Sequence, residues 1–383
     1  MKSTLEAGTG AGETSTVDAE WIHPELEAAM LRDRMDPAPY LAYADWLQGQ
    51  DEPRGWLIVL QHALRHRPSP PGHPMRRTVL PPAGKRAPPL ENEAELLMDE
   101  QRFAHQHLFG WRVPMATHHP PFVRLRWQLG FVHDLVFRVG EAIGREPGLE
   151  PPVLADLLRQ PSLRALWSMS LRFGAPVTAA VARALLSHPL PIESLALARA
   201  DRAGTSLEFD GAALARSYPR LTQLHIRYGV GVDFRQAVLP ELRTLELDTA
   251  FAEPWSGPVG QWPNLRTLRL NHVHRNAGDH LERLAEWLRA RDFRQLKRLD
   301  IFALAPPDGI IDALLGSRPL RRLEALDLSM APLTEQGVRQ VLQHADQFRH
   351  LRTFALCTAT EEQRDQLMQA IPRVRAQSQG RTL

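Results

Sequence analysis

Two apolar rhythms divide the chain. In the first, apolar side chains recur every three or four positions, the spacing of one helix face. The segment HPELEAAMLRDR places Leu26, Ala29 and Met30 on one side, with Pro24 tolerated in an opening turn. A second helix is predicted behind Asp36: it starts near Pro39, carries Tyr40, Leu41, Ala44, Trp46 and Leu47, and stops at Gly49. A third spans roughly Trp56 to Arg65, with Leu57, Leu60, Gln61 and Leu64 together. From residue 91, ENEAELLMDEQRFAHQHLFG predicts another helix that spaces Ala94, Leu97, Met98 and Phe103 for burial behind an acidic first turn.

The second rhythm is the hexad L-x-x-L-x-L. It recurs at Val132/Leu135/Phe137, Leu163/Leu166/Ser168, Ile192/Leu195/Leu197, Leu221/Leu224/Ile226, Leu242/Leu245/Leu247, Leu265/Leu268/Leu270, Leu296/Leu299/Ile301, Leu323/Leu326/Leu328 and Leu351/Phe354/Leu356. Successive middle residues lie 31, 29, 29, 21, 23, 31, 27 and 28 positions apart, close to the roughly 20–29 residues expected of leucine-rich repeats. Side chains alternate across a strand, so the last two apolar residues of each hexad enter one core and the residue between them faces away. Stacked copies predict a parallel sheet on a concave wall, with helices such as Thr178–Ser187, Asp279–Arg289 and Thr334–His344 on the convex side. AFAEPWSGPVGQWPN, with three prolines and two glycines, leaves no room for a helix between the repeats at Leu242 and Leu265.

The residues carry two resemblances. HPELEAAMLRDRMDPAPYLAYADWLQGQDEPRGWLIVLQHAL resembles the bacterial repeat-companion domain, on Tyr43-Ala44-Asp45-Trp46-Leu47 followed by Asp51, Pro53 and Arg54. It departs from that pattern at Trp56, where an acidic residue is usual, and at Gln50, which interrupts the usual Gly-Asp. The resemblance implies a companion module ahead of repeats and no catalytic activity. LDLSMAPLTEQGVRQVL resembles the helix-containing, ribonuclease-inhibitor-like class of leucine-rich repeats. In keeping with that class, the usual asparagine past the last leucine is replaced by Ala200, Gly229, Ala250, Val273, Leu304, Ala331 and Ala359.

Composition narrows the possibilities. The 46 basic and 44 acidic side chains leave a net charge of +2, so no global field steers the chain to nucleic acid or anionic lipid. No run of 18 apolar residues exists and the first twenty lack a secretory h-region, so no membrane span and a cytoplasmic location are expected. The single cysteine, Cys357, excludes an internal disulfide and any multi-cysteine zinc site. His105, His107, His118 and His119 lack a carboxylate or thiol at ligand spacing, and no phosphate loop, nucleophile elbow or H-E-x-x-H motif occurs. The expectation is therefore no enzyme, no cofactor and no metal.

The predicted organisation is an α/β chain. A disordered tail (1–20) precedes a small all-α companion module (21–67), and a proline-rich basic linker (68–90) follows. A helical cap (91–130) then leads into the leucine-rich-repeat solenoid (131–358) and a C-terminal helix and tail (359–383). Eight of the 23 linker residues are proline, and no acidic residue occurs from Pro53 to Leu90. Function is expected on the concave wall as non-catalytic binding of a protein partner. The candidate contacts are Trp167, His225, Arg227, Glu246, Arg269, Asp300 and Phe302, with Trp and Arg the types most enriched at interface hot spots. Two other readings stay open. The charged column forms only lateral ion pairs on an ordinary sheet, or the basic linker meets nucleic acid or an anionic surface. Trp167 has an alternative role beneath the N-terminal module. Oligomeric state is not encoded in any visible pattern.

Overall fold

The computed structural model describes residues 22–65, 123–139, 151–174, 177–199, 208–227, 230–234, 236–248, 262–272, 285–286, 288, 293–303, 307–315 and 317–378. The predicted tail, the linker, the helix from residue 91, most of the proline-rich return segment and most of Asp279–Arg289 lie outside them.

The architecture is mixed α/β, built on one eleven-stranded sheet. Its strands are β1 (Val123–Gln128), β2 (Phe131–Val139), β3 (Ser168–Phe173), β4 (Ser194–Arg199), β6 (Gln223–Arg227), β8 (Thr244–Asp248), β9 (Thr267–His272), β10 (Arg298–Ala303), β11 (Ala325–Leu333), β12 (Thr353–Thr358) and β13 (Val374–Ser378). They lie side by side in sequence order, and all but the antiparallel β1–β2 pair run parallel. Two short strands, β5 (Glu208–Asp210) and β7 (Gly231–Asp233), pair separately.

Alternation fixes the faces. The middle residues Leu135, Met169, Leu195, Leu224, Leu245, Leu268, Leu299, Leu326 and Phe354 are all 0% exposed. Each is in register with the next, so they form one continuous apolar row. Successive copies are also tied where each strand begins. Arg243 N donates to Thr222 O, Arg266 N to Arg243 O and Lys297 N to Arg266 O, each at 2.8 Å. Helices cover the same face: Thr178–Ser187 buries Val181, Ala184 and Leu185, and Glu335–Gln343, capped by Thr334, buries Val338 and Val341.

Three helices precede the sheet: α1 (Pro24–Arg32), α2 (Pro37–Gln48, capped by Asp36) and α3 (Pro53–Arg65). The turn after α2 passes through Asp51 at φ 57°, a left-handed position that Asp tolerates, so the chain reverses there and not at Gly49. Met30, Tyr40, Tyr43, Ala44, Leu47 and Ile58 form a second core with Leu129, Phe131 and Ala165. Tyr43 and Tyr40 meet the Phe131 ring edge-on at 5.5 and 6.0 Å. The motif tyrosine is thus a core anchor that joins the helices to the first hairpin.

Three expectations are corrected. Of the helical cap expected over 91–130, the described part is not helical but a hairpin strand over Val123–Gln128, where Arg and apolar residues alternate at period two. The C-terminal tail supplies a further strand, β13, whose Val374 pairs with Phe354 and extends the apolar row. The second hexad is shifted by three: Met169 and Leu171 pair with Leu195 and Leu197, so the true triplet is Leu166/Met169/Leu171. Leu163 sits in a 3₁₀ turn at Pro161–Leu163 that is just as buried, and apolarity alone cannot separate the two registers.

Candidate functional site

The face of the sheet opposite the helices carries one residue per strand between the two apolar positions. Read across the register, this column is Val136, Ser170, Ala196, His225, Glu246, Arg269, Asp300, Asp327 and Ala355. The chain therefore brings His225, Glu246, Arg269 and Asp300 onto four adjacent strands. Arg227 and Phe302 stand two positions further along β6 and β10, on the same face. Strand spacing is about 4.8 Å, so these side chains are within reach of their lateral neighbours.

They form one network around two carboxylates. Glu246 Oε1 accepts from Arg227 Nε at 2.9 Å, with Arg227 Nη2 at 2.7 Å. Its Oε2 faces His225 Nδ1 at 3.0 Å and Arg269 Nη1 at 3.4 Å. Asn271 Nδ2 donates to Oε1 at 3.5 Å. Asp300 Oδ2 accepts from Arg269 Nε at 3.2 Å and from Arg298 Nε at 2.8 Å. Arg269 bridges the two carboxylates, so the network runs unbroken from β6 to β10.

Electrostatics follow from that geometry. The His225 hydrogen bond, with Arg227 and Arg269 beside it, holds the Glu246 carboxyl at about 2, below the usual carboxylate range and against the opposing effect of burial. An ionised carboxylate only accepts, so His225 Nδ1 carries the proton of that bond. The hydrogen bond to Asp300 raises the Arg298 guanidinium above its ordinary value.

Exposure is distributed unequally. Glu246 is 4% exposed and Asp300 0%, whereas the side chains of Arg227, Arg298 and Arg269 are 45%, 43% and 37% exposed. The anions lie at the base of the face and the guanidinium groups stand above them.

Trp167 does not belong to this column. It precedes β3, stacks on His133 with centroids 5.3 Å apart, and donates from Nε1 to Glu193 Oε2 at 3.3 Å. Ser170 takes the outward place that the shifted hexad assigned to Trp167. Glu193 also receives Arg34 Nε at 3.3 Å, while Arg34 Nη1 and Nη2 donate to Ala165 O and Pro191 O at 2.6 Å each. Trp167 is therefore half-buried at the seam between the N-terminal helices and the strand entries. Arg220 Nη2 donates to Leu31 O at 2.7 Å along the same edge. No bond recorded for the helices among the described residues touches His225, Glu246, Arg269 or Asp300.

Arg298 and Asn271 join the site from positions that strand alternation places on the outward face but that residue type alone did not single out. Among the described residues no group of three His, Cys, Asp or Glu side chains has metal-binding geometry, and no helix is long and apolar enough to cross a membrane. The four histidines considered as ligands, His105, His107, His118 and His119, lie outside the described residues.

No family model and no curated protein matches the chain. Among solved structures, a crystal structure of a Bacteroides fragilis protein superposes with a TM-score of 0.48 at 19% identity, covering 60% of this chain and 70% of that one. A likeness of that degree carries no argument about function.

Proposed function

We propose that this chain is a non-catalytic binding protein: a leucine-rich-repeat solenoid of the helix-containing type, led by a repeat-companion module, that holds a protein partner on the outward, concave face of its sheet. The observation that carries this reading is the inverted exposure on that face. A charged column that merely solvates a sheet leaves both signs in water, where ion pairs contribute roughly 0–1 kcal/mol. Here two carboxylates are sunk and three arginines are propped above them. Burying a charge costs several kcal/mol that pairing only repays, so such a pair is weak evidence for stability. A positioning role explains it better, because guanidinium groups fixed by buried partners lose little side-chain entropy on binding.

The N-terminal helices act in this reading as a cap. They shield the open first hairpin and occupy the strand entries, which leaves the arginine-bearing part of the face clear. The test is affinity capture with the whole chain, comparing wild type with Arg269→Glu. A specific partner recovered by wild type and lost from the variant supports the assignment. Undiminished recovery by a variant with an unaltered melting temperature excludes this face.

A further inference from the structure

We infer that the partner segment held on this face is an acidic stretch of polypeptide, whose carboxylates are read by the free edges of Arg227, Arg269 and Arg298. The inference rests on the reading above and specifies the chemistry of the ligand. Three observations carry it.

The first is what a ligand meets. Glu246, Asp248 and Asp300 are each at most 9% exposed, so among the described residues the charged groups presented between β6 and β10 are the three guanidinium groups, beside His225, Gln223, Thr244, Thr267, Asn271 and Phe302. The second is donor bookkeeping. Arg227 spends Nε and Nη2 on Glu246, Arg269 spends Nε on Asp300 and Nη1 on Glu246, and Arg298 spends Nε on Asp300. Among the described residues no bond takes up Arg227 Nη1, Arg269 Nη2 or the two terminal nitrogens of Arg298. Planar donors held in place on one side and open on the other suit carboxylate oxygens. The third is extent. Arg227 and Arg298 stand three strand steps apart and four residues apart along the strand direction, roughly 20 Å in all, a span that about six extended residues cover. One strand further on, Asp327 ends the run of cations, its Oδ1 engaged at 2.6 Å by Ser329 Oγ, and marks where an acidic ligand must stop.

Nucleic acid fits less well. Duplex binders neutralise on the order of 6–10 phosphates, and three guanidinium groups bounded by an aspartate and flanked by Phe302 provide no such stripe.

The experiment is selection of a phage-displayed library of random dodecapeptides on the full chain, with parallel selection on Arg227→Gln/Arg298→Gln. Selected peptides that fail on the variant are expected to carry two or more Asp or Glu residues. Replacing those residues by Gln or Asn in a synthetic peptide should weaken binding at least about tenfold, and added salt should weaken it further. The peptide substitution leaves the protein untouched, so the result does not depend on how the variant folds. Variant-sensitive peptides that are neutral or basic would overturn the acidic specificity and leave the face itself as a binding site. Selected peptides bound equally by wild type and by a variant of unchanged melting temperature would overturn both. A single-stranded oligonucleotide bound more tightly than any selected peptide, and lost from the variant, would overturn the acidic-peptide assignment in favour of phosphate.

Discussion

Glu246 shows how one side chain links stability to the binding face. Its folded-state value of about 2 lies below the unfolded value near 4.3, so the group stabilises the fold above that unfolded value. That contribution is lost as pH falls from about 4.3 through about 2, because the proton then binds the unfolded chain more readily. Chemical denaturation across this window should show stability falling with acid. Glu246→Gln should flatten that part of the curve, since the amide cannot titrate. An identical slope in the variant would place the acid sensitivity elsewhere. The same substitution leaves Arg227, Arg269 and His225 facing a neutral oxygen, at a cost of about 1–3 kcal/mol near neutral pH. At this scale the sequence was legible where alternation governed it: His225, Glu246, Arg269 and Asp300 follow from their place between apolar neighbours. The inequality of exposure was not legible. It depends on which rotamer each arginine takes over a neighbouring strand, and no spacing within one strand encodes that.

Among the elements, the junction of the N-terminal helices with the first hairpin is the least tolerant of change. The hairpin turns through Leu129 and Gly130, at φ 48° and 75°. A Cβ on Gly130 would stand 2.3 Å from Ile58 Cγ1 on α3, and the Gly130 N–H donates to Gln61 Oε1 at 2.9 Å. The turn therefore needs glycine for its conformation and for its close approach to α3. Gly130→Ala should lower stability by about 1–3 kcal/mol and increase proteolysis within α1–α3 before the repeats unfold. Unchanged melting and protease resistance would show that α3 does not seat on the turn. The helices α1 and α2 were readable from periodicity and from Asp36, Pro39 and Gly49, with α2 beginning two residues earlier, at Pro37. The hairpin was not, because a helical cap and a covering hairpin answer the same need to shield a first strand. Strand β13 was missed because Val374-Arg-Ala-Gln-Ser carries one large apolar residue, and its place comes from the exposed edge of β12 that precedes it.

Across the whole molecule, repetition does the organising. One apolar row of nine fully buried residues runs through strands placed in sequence order, and backbone bonds at the strand entries pass from each copy to the next. Each copy rests on its neighbours, so order extends along the stack without long-range pairing. Return segments reinforce this: Asp308 accepts from Thr334 N at 3.1 Å in the following copy, and Gly337 supplies the space, since a Cβ there would fall 2.3 Å from Asp308 Oδ1. The hexad spacing made this plan legible, apart from one register. Met169 in place of leucine and the buried Leu163 moved the second copy by three residues and drew Trp167 into the wrong column.

The central claim is that the face opposite the helices is where another macromolecule sits, and photo-crosslinking tests it most directly. A p-benzoylphenylalanine is placed at Ala196 or Thr267 on the outward face, or at Arg183 or Arg339 on the exposed side of the helices. Irradiation in the native cellular background should give a discrete heavier adduct from the two outward-face positions and none from the helix positions. Adducts confined to Arg183 or Arg339 would contradict the account and move the binding surface to the opposite side of the molecule.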